Sequence, residues 1–141
     1  TRAKLQRDYR KVASIQHDIV QKFTTMLVNN YDRIAIEDLA VKQMQMSHVA
    51  SKGLHRSMFG YFKQVLKYKC EWYGKELILA DRYYPSTQRC SQCGHVKTGT
   101  DKVGLDGNKK HRTKHNEYIC YECGAVMGRD ENAVRNLLAL L

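Results

Sequence analysis

The sequence predicts an α/β fold with an inserted metal-binding module. Two long segments repeat apolar residues every three or four positions, as helices do, and each is followed by a short apolar run typical of a strand. The resulting order of helix, strand, helix, strand favours parallel pairing with helical crossovers. Two C-x-x-C pairs then interrupt the pattern ahead of a closing helix.

The first segment is predicted to be a long helix over residues 4–28. Basic side chains crowd the turns between Lys4 and Lys11, so its solvent face is expected to be basic. Asn29 and Asn30 are poor helix formers and are expected to end it. The apolar positions that define its other face are Leu5, Tyr9, Val12, Ile15, Ile19, Phe23, Met26 and Leu27.

The next elements alternate in the same way. Arg33–Glu37 is predicted to be a strand with Glu37 at its C-terminal end, and residues 40–53 are predicted to be a loop. Residues 54–73 show helical periodicity, and residues 76–81 (ELILAD) are predicted to be a buried strand.

The composition changes beyond residue 84. Residues 85–124 are rich in Cys, Gly, Lys and His and are predicted to form a separate module inserted into a core made of residues 1–84 and 125–141. Within that core, residues 131–141 are predicted to be the closing helix. Its expected apolar side comprises Ala133, Leu137, Leu138 and Leu141.

The net charge of the chain indicates which class of partner it binds. The 141 residues carry 24 Lys and Arg against 14 Asp and Glu, a net charge of +10, which favours a nucleic-acid partner over a merely solvated basic surface. No apolar run approaches the ~20 residues of a membrane span, and no secretory signal is present, so no membrane partner is expected. We expect a cytoplasmic protein, associated with the nucleoid if it is bacterial or archaeal. The missing initiator Met favours a fragment.

The cysteine pairs carry the strongest chemical signal. Two C-x-x-C knuckles 26 residues apart suit a closed, structural Zn²⁺ site, and Gly94 and Gly124 follow the knuckles where a positive φ is expected. A redox pair is a weaker alternative, and spacing alone does not exclude an iron–sulfur cluster. Cys70 is expected to be a buried thiol. The four predicted ligands are Cys90, Cys93, Cys120 and Cys123.

The segment between the knuckles is basic and polar. It is equally compatible with phosphate contact and with a solvated loop. Its basic residues are Lys97, Lys102, Lys109, Lys110, Arg112 and Lys114.

Two carboxylates, those of Glu37 and Asp130, indicate a functional site only when they are considered together with the motifs around them. Taken alone, Glu37 at a strand end and Asp130 near a helix start are ordinary caps. However, residues 34–44 (IAIEDLAVKQM) resemble the I-x-x-E-[DN]-L-x-V-x-x-M segment of transposon-encoded OrfB/TnpB proteins. Residues 84–94 (YPSTQRCSQCG) resemble the stretch leading into their zinc ribbon, and residues 120–137 resemble the end of that ribbon and the terminal D-R-D-x-N-A-A-x-N helix.

The resemblance implies an RNA-guided DNA nuclease related to the type V CRISPR effectors. Its catalytic unit would be a RuvC domain of RNase H-like fold, with a four-cysteine zinc ribbon inserted before the last helix. By motif, Glu37 matches the family's Glu and Asp130 its final Asp. The resemblance thus implies two catalytic Mg²⁺ ions held by carboxylates, a structural Zn²⁺, and DNA and guide RNA as partners.

Two departures from the family pattern matter. The family's first-strand Asp, in a D-x-G context, would precede residue 1, so we expect a partial RNase H-like (RuvC) core that lacks its first strands. Met127 and Gly128 also replace a polar-acidic pair. The isolated chain is therefore expected to show no appreciable nuclease activity, and Asp38 is the first candidate for a substitute acid if it does.

Three functions follow from these patterns. The leading one is the C-terminal part of an OrfB/TnpB-type nuclease. The first alternative is a non-catalytic nucleic-acid-binding protein derived from it, and the second is a zinc ribbon that mediates protein contacts.

Overall fold

The computed structural model describes residues 1–39 and 58–141. The predicted loop at 40–53 and the first four residues of the second predicted helix lie outside the described residues. The elements along the described part are α1 (Arg2–Asn30), β1 (Arg33–Glu37), α2 (Phe59–Tyr73), β2 (Glu76–Ala80), a short 3-10 helix (Gly99–Asp101), β3 (Glu117–Ile119), β4 (Val126–Gly128) and α3 (Arg129–Leu138).

The chain divides into two compact units. The first comprises residues 1–34 and 39–77, and the second comprises residues 35–38 and 78–141. The first unit contains α1 and α2, whereas the second contains β3, β4 and α3.

Strands β1 and β2 form a two-stranded sheet. The Glu76 amide donates to the Asp32 carbonyl (2.9 Å), and the Asp38 amide donates to the Ala80 carbonyl (3.2 Å). The starts of the strands thus face each other, as do their ends, which confirms the predicted parallel direction. The strand predicted at 76–81 is present as β2, but among its residues only Ala80 is buried, and Leu79 is 42% exposed in a sheet that has only two strands in the described residues.

Helices α1 and α2 pack through polar groups. The buried Lys69 ammonium of α2 donates to Thr24 Oγ1 (2.9 Å), Thr25 Oγ1 (2.8 Å) and the Gln21 carbonyl (2.7 Å). The Tyr61 ring stacks on His17 at 4.1 Å. Helix α2 begins later than predicted, since Met58 is left-handed (φ 54°), and it ends at Gly74 (φ 64°).

The predicted apolar face of α1 is not buried. The buried residues of α1 are Val20, Thr24 and Val28, on a different side of the helix and only in its second half. Because α2 contacts that side, the face expected to reach the core stays exposed. The exposed fractions are Leu5 55%, Tyr9 67%, Val12 52%, Ile15 60%, Ile19 58%, Phe23 47% and Met26 42%.

The second unit joins a β-ribbon to the closing helix. Strands β3 and β4 pair antiparallel, with Tyr118 opposite Met127. Helix α3 begins two residues before the prediction and ends three residues before it. Of its predicted apolar side, Leu138 is 57% exposed and the other three residues are half-buried, whereas Asn132 and Asn136 are buried. The asparagines are buried because they bind backbone groups of the preceding segment.

No helix in the described ranges combines the length and the apolar character that a membrane span requires.

Candidate metal centre and carboxylate site

The four predicted cysteine ligands converge. Their sulfur atoms all lie within 4.8 Å of one another. Cys90 Sγ lies 3.7 Å from Cys123 Sγ, and Cys93 Sγ lies 3.6 Å from Cys120 Sγ. Tetrahedral Zn²⁺ with bonds of ~2.3 Å separates its sulfur ligands by about 3.8 Å. All four cysteines are free thiols, so this cluster can bind a metal such as zinc without rearrangement.

The two knuckles have the same backbone geometry. The Gly94 amide donates to the Cys90 carbonyl (2.9 Å), and the Gly124 amide donates to the Cys120 carbonyl (3.0 Å). Both glycines have the predicted positive φ, 78° and 73°. The turns therefore point both thiols of each pair toward one centre.

The thiols have unequal acidities. Burial raises the pKa of Cys120, but backbone amides of Glu122 and Cys123 and the neighbouring thiols outweigh it and lower that pKa to about 6. The amide at His95 lowers the pKa of Cys93, whereas burial and the other three thiols raise it to about 12. Cys120 is therefore the first of these two thiols to become a metal-binding thiolate.

Two asparagines of α3 fix the segment that leads into the first knuckle. Asn132 Nδ2 donates to the Arg89 carbonyl (2.7 Å), and its Oδ1 accepts from the Ser91 amide (2.9 Å). Asn136 Nδ2 donates to the carbonyls of Ser86 and Arg89, both at 2.7 Å. The sequence pattern does not indicate these roles, although the spacing of four residues places both side chains on one face of the helix.

Lys97 is enclosed beside the cysteine cluster. Its ammonium lies 4.3 Å from the Tyr118 ring centroid and 3.9 Å from the Tyr121 ring centroid. The Lys97 side chain is fully buried, and its Nζ has no hydrogen-bond partner in the described part of the chain. Burial and the four nearby thiols raise the pKa of Tyr118. Lys97 is therefore neither a phosphate contact nor a solvated side chain, the two alternatives that the sequence left open for this basic segment.

The rest of that segment folds into a hairpin arm, residues 99–115. Asp101 accepts from Lys110 Nζ (2.9 Å) and lies 2.8 Å from His111 Nε2, and His111 and Lys110 lower the Asp101 pKa to about 2. A Cβ at Gly107 would lie 2.2 Å from the Thr113 carbonyl, so only glycine fits there. The arm is therefore an ordered structure. Its exposed basic residues are Lys102, Lys109, Lys110, Arg112 and Lys114.

The predicted carboxylates lie in the same compact unit. Glu37 is half-buried at the end of β1, where the Ser86 hydroxyl donates a hydrogen bond to its carboxylate. Ser86 is held in turn by Asn136 of α3. Asp130 is exposed in the first turn of that helix. The close approach of Glu37 to Asp130 stays a prediction, as do their catalytic roles.

Together these features define a four-cysteine ribbon. The segment before it contacts Glu37 through Ser86, and the closing helix holds that segment through Asn136. A sequence model of the Cas12f1-like TNB domain matches residues 59–137. The chain belongs to this family.

Named relatives agree with that assignment. The chain is 33% identical over 138 residues to a protein of Streptomyces pristinaespiralis named for RNA-guided DNA endonuclease activity, with 98% of this chain and 31% of the relative covered. It is 31% identical to InsQ of Escherichia coli (strain K12), with the same type of name, over 96% of this chain and 35% of InsQ. The TnpB-like protein L79 of Acanthamoeba polyphaga mimivirus is 31% identical over 95% of this chain and 24% of L79.

The fold resembles a solved structure as well. The chain superposes on a protein chain from the cryo-EM structure of a Cas12f1–sgRNA–target DNA complex with a TM-score of 0.61 at 15% identity, covering 92% of this chain and 35% of the other. The chain thus spans about a third of the length of these proteins.

Proposed function

We propose that this chain supplies the Glu37 and Asp130 carboxylates and a zinc ribbon to an RNA-guided DNA endonuclease with a RuvC-type centre. The arrangement around Glu37 carries the proposal. Ser86 binds its carboxylate, Asn136 binds Ser86, and Asn136 lies on the helix that Asp130 opens. This network supports a shared location for two acidic residues that are 93 positions apart in sequence.

The chemistry of the carboxylates suits metal-dependent phosphodiester hydrolysis. Oxygen ligands suit Mg²⁺, and a pair of such ions activates a water molecule and stabilises the leaving oxygen. Ser86 keeps one Glu37 oxygen in a fixed direction by donating to it, so the other oxygen is left for metal binding. Asp130 lies in the first turn of α3, at the positive end of the helix dipole.

The ribbon supports DNA and guide RNA as the partners. The hairpin arm presents five exposed basic residues on an ordered backbone, and the net charge of the chain is +10. Contacts from Lys and Arg to phosphates are independent of base sequence and weaken with salt. In this proposal Zn²⁺ at the four cysteines is structural, because four thiolates leave no open coordination position.

The proposed nucleic-acid binding is tested by measuring the affinity of the zinc-loaded chain for fluorescent oligonucleotides of DNA, RNA and RNA–DNA hybrid. We expect affinity to fall steeply along a salt series. The double variant Lys109→Gln, Arg112→Gln is expected to weaken binding and reduce the salt slope by about two, roughly one for each lost phosphate contact. The control is Lys67→Gln at an exposed position of α2, which also removes positive charge. Binding that is independent of salt would contradict the proposal.

A non-catalytic nucleic-acid-binding protein is the second candidate, and the exposed basic arm supports it equally well. Cleavage separates the two. We expect the purified 141-residue chain to cut no DNA with Mg²⁺, because only two of three RuvC carboxylates are assigned to it. Sequencing the gene upstream of Thr1 for a D-x-G strand then distinguishes the candidates, since only the nuclease requires that strand.

A further inference from the structure

An exposed aromatic side chain lies on an ordered turn directly after β2. The turn runs from Asp81 to Tyr84, since the Tyr84 amide donates to the Asp81 carbonyl (2.8 Å). The Tyr83 amide also donates to the Asp81 carboxylate (2.7 Å), which holds the turn a second time. Tyr83 is nevertheless 86% exposed, and Arg82 beside it is exposed as well. The backbone of this turn is therefore fixed while both of its central side chains reach into solvent.

The neighbouring tyrosine has a packing role that Tyr83 lacks. Tyr84 is half-buried, and its hydroxyl donates to the Asn136 carbonyl of α3 (3.1 Å). The Tyr83 hydroxyl and the Arg82 guanidinium, by contrast, have no hydrogen-bond or ion-pair partner among residues 1–39 and 58–141. Aromatic rings stabilise a fold by burying their large surface, so a ring as exposed as Tyr83 contributes little to stability. Its faces are available to a ligand.

The turn adjoins the end of β1 that carries Glu37. The Asp38 amide donates to the Ala80 carbonyl (3.2 Å), so the last residue of β2 lies beside the end of β1. Three residues beyond Tyr83, the Ser86 hydroxyl donates to the Glu37 carboxylate. All of these residues belong to the second compact unit. Tyr83 is thus held between two points of the chain that contact this strand end.

The charges at this edge of the sheet favour a contact that does not depend on charge. Glu37, Asp38 and Asp81 are acidic, and Arg82 is the basic residue of the turn. Carboxylates repel a phosphate backbone unless cations neutralise them. Stacking of a nucleobase on an aromatic ring strengthens binding without any ionic contact, and an adjacent arginine adds a contact to the phosphate or to the base. The turn therefore suits a nucleotide better than it suits a phosphate alone.

We propose that Tyr83 stacks on an unpaired base of single-stranded DNA, with Arg82 on the adjoining phosphate. This inference rests on the proposed function, because the same strand would bring its phosphodiester to the Glu37 carboxylate. It is specific to unpaired DNA, since both faces of a base within a duplex are covered by its neighbours. Tyr83 is accordingly a substrate-binding residue that selects single-stranded over double-stranded DNA.

The first experiment compares affinities for single-stranded and duplex DNA of one sequence, using the zinc-loaded chain with Mg²⁺. Tyr83→Ala is expected to weaken single-strand binding about tenfold and to leave duplex binding unchanged, because it removes the stacking surface. Tyr83→Phe keeps the ring and should bind as the wild type does. The matched control is Tyr31→Ala, at a tyrosine that is 55% exposed beside the end of α1, and it should change neither affinity. Equal effects of Tyr83→Ala on both forms of DNA, or no effect on either, would overturn the proposal.

The salt dependence separates this inference from the proposed function. Loss of a stacked base removes no phosphate contact, so Tyr83→Ala should lower single-strand affinity at every salt concentration and keep the salt slope. The arm variant Lys109→Gln, Arg112→Gln should instead reduce the slope for both forms of DNA. A chain without salt-dependent binding would contradict the proposed function and with it this inference. Intact salt-dependent binding that Tyr83→Ala leaves unchanged would contradict the stacking alone.

The second experiment maps the contact directly. Single-stranded DNA that contains 5-iodouracil is irradiated in complex with the zinc-loaded chain, and crosslinked residues are identified by mass spectrometry. We expect a crosslink at Tyr83 that competing single-stranded DNA removes and competing duplex does not. Crosslinks confined to other residues would overturn the proposal. A Tyr83 crosslink that forms with single-stranded RNA and not with DNA would assign the turn to RNA, and would likewise overturn it.

Discussion

The Ser86 hydroxyl donates a hydrogen bond to the Glu37 carboxylate. Ser86 lies four residues before Cys90, the first cysteine of the cluster, and its carbonyl accepts from Asn136 of the closing helix. The backbone that forms the ribbon therefore also holds the acidic side chain predicted to bind catalytic metal. Folding of the ribbon and placement of Glu37 are linked through this one serine.

Removal of that hydroxyl is expected to destabilise the second unit. Ser86→Ala leaves a half-buried carboxylate without its donor, and hydrogen bonds to charged groups contribute about 1.5–3 kcal/mol. We expect a loss of this size in the free energy of unfolding, measured in urea at fixed zinc concentration. Ser91→Ala is the control, because within the described residues its hydroxyl contacts only the weak acceptor Met127 Sδ at 3.4 Å. Equal losses in both variants would contradict the stated role of Ser86.

Metal content is expected to be one zinc ion per chain. Chelation should unfold the ribbon and leave α1 and α2 helical, because the metal connects the knuckles whereas the helices pack through their own contacts. Elemental analysis and circular dichroism measure the two effects. Cys120→Ser should abolish zinc binding, whereas Cys70→Ser, at a buried thiol outside the cluster, should retain it. A purified chain without zinc, or with a Cys90–Cys93 disulfide, would refute this prediction.

Lys97 is expected to help retain the metal. Four thiolates around Zn²⁺ carry a net negative charge, and the enclosed ammonium lies against the Tyr118 ring beside them. Lys97→Met keeps the volume and removes the charge, so we expect zinc transfer to a chelator to accelerate about tenfold, equivalent to about 1.4 kcal/mol. Lys102→Met, at an exposed position of the arm, should transfer zinc at the wild-type rate. A slower transfer from Lys97→Met would show that burial of the charge dominates.

The buried lysine of the helical unit gives a pH signature. Burial lowers the pKa of Lys69 below its ordinary 10.5. Between the lowered and the ordinary value the unfolded chain binds more protons, so stability rises with pH in that window. The free energy of unfolding of wild type minus that of Lys69→Met is expected to increase from pH 8 to pH 10. Groups other than Lys69 are common to both proteins, so their contributions cancel in this difference. A difference that does not change with pH would show that Lys69 has an ordinary pKa.

The sequence predicted local features such as the cysteine knuckles better than it predicted which helix faces are buried. Spacing identified the four cysteines and the two glycines with positive φ, because a metal knuckle is a local structure whose requirements lie within five residues. Apolar periodicity located α1 but misassigned its buried side, since α2 binds the helix through Gln21 and Thr24. Periodicity reports which face is apolar, and it does not report whether anything covers that face.

Polar contacts between residues that are distant in the sequence could not be predicted either. Asn132, Asn136 and Ser86 have ordinary hydropathy, and their roles arise from hydrogen-bond partners more than 40 residues away. The sequence places Lys97 in a basic segment, and nothing near it along the chain indicates that two tyrosine rings from beyond residue 117 enclose it. Such partners are set by the fold and have no periodic signal.

The most direct test of a shared carboxylate site uses Mn²⁺ as a paramagnetic substitute for Mg²⁺. In spectra of the ¹⁵N-labelled, zinc-loaded chain, the amide signals of Glu37 and Asp130 are expected to broaden together as Mn²⁺ is added. Glu37→Gln should remove the broadening at Asp130, because the two carboxylates would hold the same ion. Broadening at Asp130 that survives Glu37→Gln, or carboxylates more than about 12 Å apart, beyond the reach of a two-metal site, would contradict the RuvC assignment of both residues.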